Sequence, residues 1–207
     1  MASGPESDSV ALDKARISML IQGWGIWRDT GVWEKLRQAY TPDATMAVSW
    51  FDGPASDFID GCARMFADQT RRISSQHLIG ASAIELQGER GIAETRTSIL
   101  IRLPVDQIEV DVTAIARFYD LLAKDGGVWR IKRRVAIFDK DSMQPVNPME
   151  SLKINLELFR SYPEPYRCCA YVLAARGGLT INKDLPTPGS ASLAALYAQG
   201  QAWLDRR

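Results

Sequence analysis

This 207-residue chain has few histidines and cysteines and no net charge. It has one histidine and three cysteines, and its 25 Lys and Arg residues equal its 25 Asp and Glu residues. A protein that binds polyanions through net charge shows a positive surplus, so we expect no nucleic-acid partner. The cysteines are odd in number and two of them, Cys168 and Cys169, are adjacent, which fits neither a disulfide framework nor a zinc site. This pattern predicts a reduced, cytoplasmic protein without a metal site.

Long apolar runs and nucleotide-binding motifs are absent as well. The longest apolar run, residues 168–175, is far shorter than the roughly 20 residues that span a bilayer, so we expect no membrane partner. The N-terminus has neither the basic start nor the apolar stretch of a secretory signal. A Walker-type loop, a GxGxxG motif and a Gly-x-Ser-x-Gly elbow are all missing, so we expect no cofactor and no serine-hydrolase chemistry. Basic residues cluster only at positions 130–134, which we interpret as a solvated strand face.

The N-terminal part of the chain has apolar residues at helical spacing. The pattern predicts one helix over residues 9–30, a short second one over residues 32–39 and a third over residues 57–72, with Ser56 as its N-cap. Residues 45–51 look like a strand between the second and third helices.

The period then changes to that of strands. Segments rich in Ile, Val, Thr and aromatic residues predict four strands over residues 77–86, 91–103, 109–123 and 128–138. The breaks between them are short enough for hairpins, so the order of elements predicts an α+β fold. One face of the third strand is apolar, formed by Val110, Val112, Ala114, Ala116 and Phe118. We expect a cone-shaped, curved antiparallel sheet whose N-terminal helices enclose an apolar pocket.

A change of composition near residue 148 divides the chain. We assign residues 1–148 to the α+β domain and residues 149–207 to a helical C-terminal extension. Fewer than roughly 60 residues form little core of their own, so we expect the extension to pack on the same domain or on a partner subunit.

Two polar residues stand out, although each alone has an ordinary structural explanation. His77 lies at the start of the first meander strand, where a lone histidine is more often structural than catalytic. Asp29 precedes a glycine at the end of the first helix, a common place for a turn residue.

The two residues belong to a pattern that extends over residues 10–148. An acidic residue ends the first helix before Gly-x-Trp-Glu-x-Leu; Tyr-Thr-Pro-Asp-Ala, Ser-x-x-His-Leu-Ile-Gly and Asp-Gly-Gly-Val-Trp-Arg-Ile-Lys-Arg-Arg follow. This order resembles the SnoaL-like branch of the nuclear transport factor two-like superfamily. The resemblance implies a cone-shaped α+β barrel with a deep apolar pocket, as in scytalone dehydratase and hexachlorocyclohexane dehydrochlorinase. It also assigns proton abstraction to His77 and the orientation of its imidazole to Asp29.

The sequence departs from these relatives at Trp24. The dehydrochlorinase pattern has a Lys one helical turn before the Asp, many relatives have a Tyr there, and the dehydratase pattern has a second histidine. We therefore expect a different substrate, bound by aromatic walls for which the candidates are Trp24, Trp50, Phe51, Phe118 and Phe138.

Two hypotheses follow for function. The first is a cofactor-independent lyase or isomerase, of dehydratase or cyclase type, in which His77 and Asp29 act on a small hydrophobic cyclic molecule. The second is a non-catalytic small-molecule-binding or oligomerisation module that resembles a ring-hydroxylating dioxygenase small subunit. Because an open sheet face usually needs cover, we expect a homodimer or homotrimer.

Overall fold

The computed structural model describes residues 7–68, 73–175 and 179–206. The helices are α1 (Asp8–Thr30), α2 (Trp33–Gln38), α3 (Ala55–Ala67), α4 (Leu156–Arg160), α5 (Arg167–Ala175) and α6 (Ala191–Asp205), with a 3-10 turn at Glu164–Tyr166. The strands are β1 (Tyr40–Val48), β2 (Phe51–Pro54), β3 (Ser74–Gln87), β4 (Arg90–Val105), β5 (Ile108–Asp125) and β6 (Val128–Pro145). The predicted α+β class is confirmed.

The six strands form one sheet in the order β2-β1-β6-β5-β4-β3. The predicted hairpins from β3 to β6 are present and antiparallel, whereas β1 pairs with β6 in parallel. Asp106 and Gln107 both have positive φ, 47° and 71°, which gives this two-residue turn the twist that a hairpin needs. The strands are longer than predicted, because β6 continues to Pro145 along the first half of β5.

Register shifts bend the sheet. The pairing of β5 with β6 slips between Ile115 and Ala116 and again between Leu121 and Leu122, and the pairing of β3 with β4 slips after Ile79. Such bulges bend a strand and increase its twist, and here they curve the sheet around the N-terminal helices. The apolar face predicted for β5 is buried, with Phe118 only 1% exposed.

Helix α3 differs from its prediction at the N-terminus. It begins at Ala55 with Pro54 at the N-cap position, so Ser56 lies inside the helix and caps nothing. The end predicted near residue 72 lies outside the described residues.

The C-terminal extension packs on both faces of the sheet. Cys169 and Leu173 of α5 face the interior beside β6. On the other face, the ring of Tyr197 in α6 lies 5.3 Å from that of Tyr119, and Trp203 donates a hydrogen bond to the Leu122 carbonyl. This cover explains why Tyr119 is buried although it points away from the pocket side.

Among the described residues, no helix is long and apolar enough to span a membrane.

Candidate active site

The end of α1 and the beginning of β3 bring Asp29 and His77 together. Helix α1 ends because Gly31 adopts a left-handed conformation, with φ of 71°, and its backbone N–H bonds the Trp27 carbonyl. Asp29 is therefore fixed in the last turn. One of its oxygens, Oδ1, lies 2.8 Å from Nδ1 of His77, and the other accepts a hydrogen bond from the His77 backbone N–H. The carboxylate thus holds both the ring and the backbone of the histidine.

Burial and charge set the protonation of the pair. Burial is the main influence on His77 and lowers the pKa of its imidazole, although the hydrogen bond with Asp29 opposes it. Burial alone would raise the pKa of Asp29, but the hydrogen bonds and charge of His77, with the charge of Arg28, outweigh it and hold that pKa below its ordinary value. At neutral pH the pair is a neutral imidazole beside a carboxylate. Nδ1–H then donates to Asp29, and Nε2 keeps its lone pair.

His77 lies in the wall of a cavity of about 70 Å³ between the sheet, α1, α3 and α5. Four of the five aromatic residues predicted as pocket walls line it: Trp24, Trp50, Phe118 and Phe138. Trp24 meets His77 edge-on, with 5.5 Å between ring centroids, and Phe118 stacks on His77 at 6.3 Å. The Trp24 and Phe118 centroids are themselves only 5.4 Å apart, so the imidazole packs against two neighbouring aromatic rings.

Phe51 is not among the residues that line the cavity. Strand β1 ends at Val48, and Phe51 begins β2 after the turn at Ser49 and Trp50. Its ring packs against Trp50 and Phe58, at centroid distances of 5.9 and 5.8 Å. Phe51 supports a wall residue and does not itself face the cavity.

The cavity also has walls that the sequence did not indicate. The polar ones are Arg28, Ser49 and Ser75, and the C-terminal extension adds Cys169, Leu173 and Leu179. The sequence does contain a clue to Arg28, because this residue is adjacent to Asp29 at the end of α1. The sequence contains no such clue to the wall residues of the extension, because an apolar helix alone does not reveal which cavity it will close.

A second buried pair lies behind the aromatic walls. Arg134 and Asp120 are both fully buried and share two hydrogen bonds of 2.7 Å. The guanidinium carbon lies 4.4 Å from the ring centroid of Trp24 and 4.5 Å from that of Phe118. Arg134 therefore supports the two rings that hold His77.

Metal ions are held in proteins by groups of ligand side chains. In the described ranges, no three His, Cys, Asp or Glu side chains are grouped closely enough to hold a metal ion. Cys169 is buried, and burial raises the pKa of its thiol to about 12, so it remains an inert, protonated wall.

Known proteins share both the sequence pattern and the fold. A PEP2-like protein from Fusarium vanettenii is 28% identical over 98% of this chain and 89% of its own length. A scytalone dehydratase-like protein from Novosphingobium aromaticivorans superposes with a TM-score of 0.57 at 14% identity, over 72% of this chain and 100% of that one. A type 2 hexachlorocyclohexane dehydrochlorinase gives 0.56 at 15% identity, over 72% and 99%.

The family model for the SnoaL-like domain matches residues 9–135. This range contains nearly all of α1 to α3, strands β1 to β5, the first part of β6 up to residue 135, and both members of the pair formed by Asp29 and His77. The chain belongs to the SnoaL-like family.

Proposed function

We propose that this protein is a cofactor-independent lyase or isomerase that removes a carbon-bound proton from a small hydrophobic cyclic molecule. The observation that carries the proposal is the hydrogen bond of 2.8 Å between Asp29 and His77 in the wall of an apolar cavity. Membership of a family whose fold is shared by dehydratase-like and dehydrochlorinase proteins supports it.

His77 is the proposed general base. Asp29 fixes the tautomer with the proton on Nδ1, so Nε2 can accept a proton from the substrate. The imidazolium that forms is stabilised by the Asp29 carboxylate. In an elimination, the electron pair of the broken C–H bond forms the new double bond, and the leaving group departs from the neighbouring carbon.

The volume of the cavity limits the substrate. Drug-sized ligands occupy pockets of about 300–1,000 Å³, and an engineered cavity that holds benzene has about 150 Å³. At about 70 Å³ the cavity must widen even for a single ring. We therefore propose a substrate no larger than one small ring with its substituents, since a steroid or polyketide would need a far larger opening.

The same small volume favours a second candidate function, a binding or oligomerisation module without catalysis. In that case His77 would be a buried structural residue that Asp29 satisfies. The proposed homodimer or homotrimer is compatible with either function.

A panel of small cyclic β-hydroxy ketones, β-hydroxy acids and halogenated alicyclic compounds tests the proposal. The wild-type protein should form unsaturated products, detected by ultraviolet absorbance, or exchange the abstracted proton in D₂O. His77→Gln, which retains a polar side chain, should reduce the rate about 10²- to 10⁴-fold, the usual contribution of a general base. Equal turnover by wild type and His77→Gln would contradict the assignment.

A further inference from the structure

The Arg28 guanidinium is a cavity-wall group for which neither hypothesis from the sequence has a role. It precedes Asp29 in the last turn of α1, and its side chain is only 16% exposed. Nη1 donates hydrogen bonds to Ser75 Oγ and, at 3.2 Å, to Asp29 Oδ1. Its Nε is buried and has no hydrogen bond within the part of the chain that the structure describes.

Arg28 shares its carboxylate partner with His77. Asp29 Oδ1 lies nearer to His77 Nδ1, at 2.8 Å, than to Arg28 Nη1, at 3.2 Å. Arg134 also has one buried nitrogen without a hydrogen bond, Nη1, but two hydrogen bonds of 2.7 Å join its guanidinium to the Asp120 carboxylate. Arg28 also hydrogen-bonds the Cys62 thiol, which is a weak acceptor and stays neutral because burial raises its pKa.

The free edge of a guanidinium has a specific complement. Guanidinium N–H groups bind the two oxygens of a carboxylate in parallel, and such charge-assisted pairs are the strong hydrogen bonds of proteins. With Nη1 engaged by Ser75 and Asp29, the unpaired Nε belongs to the edge that remains for a ligand. Arg28 is also one of the residues that line the apolar cavity beside His77.

We propose that Arg28 binds a carboxylate of the substrate, so that the site selects a small cyclic carboxylate with its ring in the cavity and its acid group on the Arg28 Nε edge. This inference rests on the proposed function of the cavity as the substrate site. Because Arg28 and His77 bond the same oxygen of Asp29, the anchored ring lies beside the imidazole. Arg28 is thus a residue that determines specificity, and His77 remains the base.

Binding of matched probes to the full-length protein tests this role. Benzoate and benzamide have nearly the same shape and differ in charge, and binding of either can be followed by calorimetry or by fluorescence of Trp24 and Trp50. Wild type should bind benzoate at least tenfold more tightly than benzamide. Arg28→Met should remove this preference and leave the affinity for benzamide nearly unchanged.

Two further variants keep the test decisive. Arg28→Lys retains the charge without the planar fork, so it should keep a reduced preference for benzoate even if Arg28→Met folds poorly. His77→Gln should keep the full preference, which separates this inference from the proposed catalysis. Equal binding of both probes by wild type, failure of wild type to bind benzoate, or a preference that survives in folded Arg28→Met would overturn the proposal.

Discussion

Two carboxylate–base pairs pack against the same aromatic rings, Trp24 and Phe118, and they differ in what they can do. Asp120 and Arg134 are 0% exposed and joined by two hydrogen bonds. His77 and Asp29 are 9% and 13% exposed, and the imidazole uses one nitrogen for the carboxylate. In the first pair the guanidinium binds both carboxylate oxygens, and we call it the closed pair; in the second pair the imidazole has a nitrogen left for chemistry.

The difference separates a structural ion pair from a catalytic one. A guanidinium stays charged at all ordinary pH values, so Arg134 cannot exchange protons with a substrate. Its function is to support Trp24 and Phe118, which pack against it and against His77. An imidazole titrates near neutral pH, and burial lowers the pKa of His77, so the ring is neutral at that pH and Nε2 can accept a proton. We therefore assign a role in stability to Asp120 and Arg134 and a role in proton transfer to Asp29 and His77.

The largest effect on stability should come from the closed pair. Arg134→Met leaves the Asp120 carboxylate buried without its partner, which should lower the free energy of unfolding by about 3–5 kcal/mol. Urea denaturation measures this change. The double variant Asp120→Leu with Arg134→Met is the matched control and should recover most of the loss, because no unpaired charge remains. A single variant as stable as wild type would show that the pair has no structural role.

Asp29→Asn should affect activity more than stability. The amide can still accept the Nδ1–H hydrogen bond, but it cannot stabilise the imidazolium by charge, so we expect a rate loss of about 10²-fold. The free energy of unfolding should fall by only about 1 kcal/mol, the net value of one hydrogen bond. Parallel measurement of turnover and urea midpoint tests this, and a loss of stability matching that of Arg134→Met would remove the distinction between the pairs.

The smallest expected effect is the loss of folding stability as the pH falls. Because the pKa of His77 is lower in the folded than in the unfolded chain, the unfolded state binds the proton first as the pH falls through about 6.5. The contribution of His77 to stability should be complete above that pH and decline as the pH falls through it. His77→Gln should lack this decline, so the comparison of urea midpoints for the two proteins isolates it. If the urea midpoints of wild type and His77→Gln changed with pH in the same way, the lowered pKa of His77 would be contradicted.

The sequence predicted the hairpins better than the site. Paired Gly126 and Gly127 mark a tight turn, and alternation along β5 gives the buried face directly. The pair formed by His77 and Asp29 came from resemblance to a family, because no local rule joins a helix end to a strand 48 residues later.

Other parts of the site depend on tertiary structure. Phe51 and Trp50 are neighbours in sequence, yet only Trp50 lines the cavity, because the turn before β2 sets their directions. Tyr119 is buried by α6, and Cys169 closes the cavity from α5. Which helix of the extension covers which face depends on the shape of the sheet and not on helical periodicity.

The single histidine of this chain permits one direct test of the central claim. In ¹⁵N NMR all imidazole signals come from His77, so its tautomer and pKa can be measured without a substrate. The account predicts a neutral ring with its proton on Nδ1 and a pKa below 6.5. A proton on Nε2, or a pKa at or above 6.5, would contradict the proposed general base.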